Sequence, residues 1–277
     1  MNLARVTKIA DPRKRAKAAH DLIEELQSAV TDLSRLRRDA FEELLDRGMT
    51  QTDIAVLLDI SRSRVSQLMS GVAKPERRFL GTGPLTIAVA AKETGLNPDE
   101  VAPESLAAYQ ALAQAAGTVG LDTTYEVIPR PGNVHLNRPN LIVLGGPKLL
   151  PFVSQIMEAD PYIRFEHDET GWYIVDRTTQ KQYRSLRDRG VWADYGYIGR
   201  LPKPDGHGTF LYLAGIHSQG TLGAAKYVAE QLLPLYRQMK VRRFSAIVSC
   251  AYNPDAKTQP TVFTTHLETV CYRHDAS

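Results

Sequence analysis

A change of rhythm near residue 75 constrains this chain more than any other feature. Up to about residue 70 the apolar residues recur at helical spacing; from about residue 85 short β-branched runs alternate with Ala-rich helical stretches. Between them lies GVAKPERRFLGTGP, residues 71–84, where Gly71, Pro75, Gly81, Gly83 and Pro84 supply the punctuation of a linker. Two periods in succession imply two units of different class: an all-α N-terminal domain followed by an α/β C-terminal domain. The expected boundaries are 1–73 for the helical domain, 74–82 for the linker and 83–277 for the α/β domain. A length of 277 residues suits that division.

Composition excludes several classes. Apolar residues make up 43% and charged residues 23%, which argues against a mostly disordered chain. No apolar run reaches the roughly 18 residues of a membrane span, and MNLARVTKIADPRKR lacks the apolar stretch of a secretory signal. Cys250 and Cys271 are too few for a disulfide framework, so a cytoplasmic, reducing location is expected. The seven histidines show no H-x-x-x-H spacing, so no structural metal is expected. No cofactor is expected either. The net charge is +3, and residues 1–80 carry all of it, with 15 Lys/Arg against 12 Asp/Glu. That excess suits either a solvated helical face or a nucleic-acid partner.

Residues 12–47 read as long helix. Asp11 offers an N-cap with Pro12 at the first helical position, and Gly48 is a natural stop. Leu22, Ile23, Leu26, Val30, Leu33 and Leu36 follow three- and four-residue steps along one stripe. The stripe is either a seam for a second copy, making a homodimer, or a surface that packs on its own domain.

The next stretch, MTQTDIAVLLDISRSRVSQLMSG at residues 49–71, carries the most information. Thr50 and Asp53 are spaced as a capping box with Asp in place of Glu. Ile54, Leu58, Ile60, Val65 and Leu68 fall where two steeply crossed helices bury side chains, with small Ala55 at the close approach. Ser61 is placed to cap the second helix. This pattern resembles the helix-turn-helix of bacterial repressors and of the promoter-reading region of sigma factors. Asp59 stands in the turn where such families usually carry Gly; Asp tolerates the left-handed conformation better than most residues. The resemblance implies that the second helix enters the major groove of double-stranded DNA. Gln51, Ser61, Arg62, Ser63, Ser66 and Gln67 would then face the duplex, Arg62 suiting guanine and Gln67 adenine. Arg64, Lys74, Arg77 and Arg78 would hold phosphates. The bland alternative is a helical hairpin that packs on the second domain and meets no DNA.

In the larger domain, two segments share one construction. LIVLGGP at residues 141–147 and LYLAGIHSQGT at residues 211–221 each end a buried strand in glycines and open a helix, Leu149–Met157 and Leu222–Tyr236 respectively. Leu85–Ala90 and Phe244–Tyr252 read as further strands, with a turn at Asn253–Pro260. Glycines let backbone N–H groups approach a ligand, and helix N-termini favour anions. In doubly wound sheets such loops collect at the carboxyl ends of the strands. The expected ligand set is Gly145, Gly146, His217, Ser218, Gln219, Gly220 and Thr221, joined by Asp194, Tyr195 and Arg200. The domain is similar to the broad group of Rossmann-like nucleotide-sensing domains, although it contains neither G-x-G-x-x-G nor G-x-x-x-x-G-K-[ST]. Trp172 and Trp192 suit either base stacking or core packing. Cys250 suits either a buried structural thiol or, with His217, a nucleophile.

Three functional readings follow. The first is a DNA-binding transcriptional regulator, dimeric, whose α/β domain senses a small anionic or nucleotide-like effector. The alternative is a nucleoside or nucleotide hydrolase with an N-terminal DNA-binding or autoregulatory module, drawing on Asp194, Asp205, His207 and His217. A third possibility is a partner-binding protein whose glycine loops are empty turns. No catalytic set is assigned.

Overall fold

The computed structural model describes residues 3–69, 75–94, 97–254 and 262–274. The chain divides into two compact units, Met1–Ala73 and Lys74–Ser277.

The first unit is helical throughout its described residues. It comprises α1 (Leu3–Val6), α2 (Pro12–Asp46), α3 (Gln51–Leu57) and α4 (Arg62–Met69). Asp11 caps α2 by accepting from the amides of Arg13 and Lys14. Thr50 and Asp53 form a reciprocal capping box at the start of α3. The turn between α3 and α4 places Asp59 at φ 54°, the left-handed conformation. Ser61 Oγ then accepts from the Arg64 amide at 3.1 Å and caps α4. Phe41, Ile54, Ala55 and Val65 are the buried centre, flanked by Leu44, Leu45, Met49, Ile60, Leu68 and Met69.

The second unit is α/β. Its elements are α5 (Arg77–Leu80), β1 (Leu85–Ala90), β2 (Lys92–Thr94), β3 (Asn97–Glu100), α6 (Pro103–Thr118), β4 (Thr123–Ile128), β5 (Leu141–Leu144) and α7 (Pro151–Met157). There follow β6 (Ile163–Asp168), β7 (Gly171–Asp176), β8 (Lys181–Arg184), β9 (Ala193–Pro202), β10 (Thr209–Gly215), α8 (Ser218–Glu230), α9 (Leu232–Met239), β11 (Phe244–Tyr252), β12 (Val262–Leu267) and β13 (Tyr272–Arg273). The main sheet has the order β12-β11-β9-β10-β5-β1-β4, with β13 beside β11. Strands β4, β1, β5 and β10 are parallel neighbours, and β9 and β12 run against theirs. Side-chain alternation sorts the sheet into two cores. Ile87, Val89, Ile142, Leu144, Leu211 and Leu213 face α6, α8 and α9. Ala88, Ala90, Val143, Tyr197 and Tyr212 face α7 and the small β6-β7-β8 sheet.

Three differences from the sequence reading have local causes. Residues 75–82, expected as linker, belong to the second unit: Phe79 and Leu80 are buried in α5, and Asn140 Oδ1 accepts from the Thr82 amide. The helix expected from Leu222 to Tyr236 starts earlier, at Ser218, and breaks at Gln231, because Pro234 has no N–H to offer the Glu230 carbonyl. Strand β8 went unseen because KQYR buries only Tyr183. The turn expected at Asn253–Pro260 lies largely outside the described residues.

Candidate functional site

Two surfaces collect the residues singled out in the sequence. On the first unit, α4 buries Val65 completely, while Arg62, Ser63, Arg64, Ser66 and Gln67 are exposed. The helix is held on one side and offers a polar face on the other. Ser61 Oγ lies 2.9 Å from Ser63 Oγ, and Arg64 Nη1 donates to Gln67 Oε1 at 3.2 Å. Gln51 is half-buried, with Nε2 against Met69 Sδ at 3.9 Å. Lys74 lies outside the described residues.

Arg77 and Arg78 require correction as phosphate contacts. Both are buried in α5 of the other unit, at 3% and 8% exposure. Arg77 Nη2 donates to the Thr82 carbonyl at 2.8 Å. Their neighbours Phe79 and Leu80 draw the short helix into the sheet core, and the arginine stems go with it.

The second surface is a cleft of about 1000 Å³ in the α/β unit. Its place follows from strand order. The chain leaves β1 through α6 to β4 on one side and then returns to β5 on the other, so the crevice opens where β1 and β5 end. The floor is Ala90, Gly145, Gly146 and Gly215, residues with little or no side chain. Gly145 has φ 148°, and a Cβ there would sit 2.6 Å from Ala90 Cβ. One wall is the start of α8, where His217, Ser218, Gln219 and Thr221 line the cleft. Another is the start of α6, where Glu104 Oε1 accepts from Gln219 Nε2 at 3.1 Å. Lys92, Arg130, Lys148 and Arg187 line the rest, with Trp172. Among the described lining residues, four cations stand against one carboxylate, a balance that favours an anion.

Six expected ligand residues, Gly145, Gly146, His217, Ser218, Gln219 and Thr221, come together here. Gly220, Asp194, Tyr195 and Arg200 do not line it, and each has a physical reason. Asp194 is fully buried on β9 beneath the loop. Its Oδ2 accepts from the amides of His217 at 3.0 Å and Gly220 at 2.8 Å, and its Oδ1 lies 3.4 Å from His217 Nδ1. It therefore fixes the loop from behind instead of meeting a ligand. Gly220 is where the backbones touch: a Cβ there would lie 2.2 Å from the Tyr195 carbonyl. Tyr195 packs edge-on against Tyr183.

Arg200 is displaced furthest. Strand β9 runs against β10, so its carboxyl end lies at the amino edge of the parallel strands. Arg200 is six residues beyond Asp194, roughly 20 Å away along a strand. It is buried, with its guanidinium 5.2 Å from the Phe79 ring and Nη2 donating to the Phe79 carbonyl. Burial lowers its pKa to about 10.

Cys250 is buried on β11, its Sγ 3.3 Å from the Gln219 carbonyl, and burial with the nearby Asp194 charge raises its pKa to about 12. A thiol so poised carries little thiolate near neutrality, which favours its structural reading. Lys92, Glu104, Arg130, Lys148 and Arg187 escaped the sequence reading. Each is an ordinary charged residue in isolation, and only the crossovers bring them to one rim. Among the described residues no helix is long and apolar enough to cross a membrane.

Comparison with known proteins returns nothing: no family model, no curated protein and no solved structure matches this chain.

Proposed function

We propose that this chain is a cytoplasmic, sequence-specific DNA-binding transcriptional regulator whose α/β unit binds a small anionic, nucleotide-like effector. The observation that carries the reading is α4, anchored by fully buried Val65 and presenting Arg62, Ser63, Ser66 and Gln67 outward. Arg, Gln and Ser are the side chains that read base edges in the major groove. Arg64, on the same helix, suits a phosphate. In the second unit, a doubly wound, Rossmann-like parallel half carries its cleft at the strand switch point, rimmed by Lys92, Arg130, Lys148 and Arg187. Those cations suit phosphate or carboxylate, and Trp172 offers a face for a base. The effector regulates by binding the DNA-competent and DNA-incompetent states with different affinity.

The test is selection from a random duplex library by the full chain. A single enriched motif, absent with Arg62→Ala/Gln67→Ala, is expected; no enriched motif overturns the DNA reading. For the cleft, thermal melts with inorganic phosphate and with nucleoside mono-, di- and triphosphates should show stabilisation by at least one probe, lost in Arg130→Ala/Lys148→Ala.

A second reading, nucleotide hydrolysis, draws on the contact between His217 Nδ1 and Asp194 Oδ1 at the cleft wall. It predicts phosphate or base release from one of the same probes, abolished by His217→Ala.

A further inference from the structure

The cleft of the α/β unit is graded from floor to rim. Arg130, Lys148 and Arg187 are exposed at its mouth, and Lys92 is half-buried. The buried polar side chains of its lining carry no charge: Ser105 is 7% exposed and Thr221 2%. Ser105 stands in the first turn of α6 and Thr221 in the first turn of α8. Neither hydroxyl has a hydrogen-bond partner among the described residues, and neither oxygen is sealed from solvent. Each therefore opens on the cleft that both residues line. Polar groups held this deep are normally partnered, because an unmade hydrogen bond there is costly.

We infer that Glu104, Ser105 and Thr221 form a seat for sugar hydroxyls, so that the effector is a ribonucleotide bound with its 2′,3′-diol inward and its phosphate at the rim. The inference rests on the effector reading above. Charge decides the orientation. Helix starts attract anions, and the starts of α6 and α8 both open here. The chain supplies that anion itself: Glu104, in the first turn of α6, accepts from Gln219 Nε2, in the first turn of α8, at 3.1 Å. A phosphate beside Glu104 would meet a like charge, and none of the cations among the described lining residues is buried there with it. The rim offers Arg130 and Lys148 instead.

Donor and acceptor chemistry selects the head group. An ionised carboxylate only accepts, and Glu104 already takes one bond from Gln219, which leaves it room for two more donors. Serine and threonine hydroxyls both donate and accept. A vicinal diol matches this set. Its O–H groups donate to the carboxylate, and its oxygens accept from Ser105 and Thr221. Ala90, Gly145 and Gly215 floor the cleft with little or no side chain, so a sugar ring can come close to the backbone. A base asks for a flat apolar face, and Trp172 on β7 offers one at the cleft wall.

The experiment is a calorimetric titration of the full chain with the four ribonucleoside 5′-diphosphates and their 2′-deoxy counterparts. At least one ribonucleotide should bind, and its 2′-deoxy counterpart should bind roughly tenfold more weakly or worse. Ser105→Ala/Thr221→Val, which removes both hydroxyls and nearly keeps the side-chain volume at 221, should bind the two sugars alike. Glu104→Gln, which turns one acceptor oxygen into a donor, should also cut the preference, and it decides the matter should the double variant not fold. Arg130→Ala/Lys148→Ala should weaken both sugars and keep the ratio between them. Equal binding of the two sugars by the wild-type chain overturns the seat and leaves the effector reading standing. So does a preference among bases that ignores the 2′-hydroxyl. A ribose preference that survives both Ser105→Ala/Thr221→Val and Glu104→Gln overturns the seat as well. No binding by any of the eight probes overturns it together with the effector reading.

Discussion

The helical unit closes its core on Phe41, Ile54, Ala55 and Val65 and leaves five large apolar side chains of α2 in water. The α/β unit buries both faces of its sheet and sets buried carboxylates in hydrogen bonds between elements. Asp160, for example, accepts from Tyr197 Oη, the Ser245 hydroxyl and the amides of Tyr162 and Ile163. The contrast separates two ways of being stable. A unit with a small core depends on its caps and on what covers its exposed row. A sheet buried on both faces can carry a cleft lined by charged side chains. The polar face of α4 and the cationic cleft are thus different kinds of surface on different kinds of support.

The largest expected effect breaks the smaller unit alone. Phe41→Ala should cost about 3–5 kcal/mol, comparable to the whole stability of a small domain. Calorimetry should lose one transition and keep that of the α/β unit; losing both would show a single cooperative body. Next comes Asp194→Ala, which strips the acceptor from the amides of His217 and Gly220 at the start of α8. It should cost about 3 kcal/mol, lower only the α/β transition and weaken ligand binding in the cleft.

The arginines sharpen the comparison further. Arg64→Ala should weaken all duplexes alike and reduce the salt slope by about one unit. Arg77→Ala should leave that slope unchanged and lower the α/β melting temperature, because its guanidinium is spent on the Thr82 carbonyl.

The smallest effect is alkaline. Burial raises Cys250 to about 12 and Cys271 to about 11, and it pushes buried Tyr197 and Tyr212 up as well. The folded state holds these protons longer than the unfolded chain, so their stabilisation is complete below about pH 9 and is lost as pH rises toward 12. Arg200, lowered to about 10, works the other way above that pH, so pH 9 to 10 is the clean window. Melts there should drop for the α/β unit, with the slope shallower in Cys250→Ala. The helical unit contains neither Cys nor Tyr and should show no such drop.

Local signals were legible where one strand or one turn decides them. LTIAVA, LIVL and FSAIVSCAY are strands because their apolar runs have no polar face to expose. Asp59 takes its left-handed turn because a short polar side chain tolerates it. What stayed hidden depends on pairing. Arg200 was expected in the cleft because a guanidinium suits a phosphate; the antiparallel placement of β9 carries it to the far edge. The cleft cations lie at 92, 130, 148 and 187, joined by no spacing rule. Arg77 and Arg78 looked like linker charges, yet the adjoining Phe79-Leu80 pair was the available sign of burial.

The division of labour between the two surfaces is tested most directly by fluorescence anisotropy on a duplex carrying the selected site and on a scrambled one. Arg62→Ala/Gln67→Ala should erase the difference in affinity between the two duplexes, and Arg130→Ala/Lys148→Ala should leave it intact. If the cleft pair erases the difference and the α4 pair does not, the duplex is held by the α/β unit and the account is wrong.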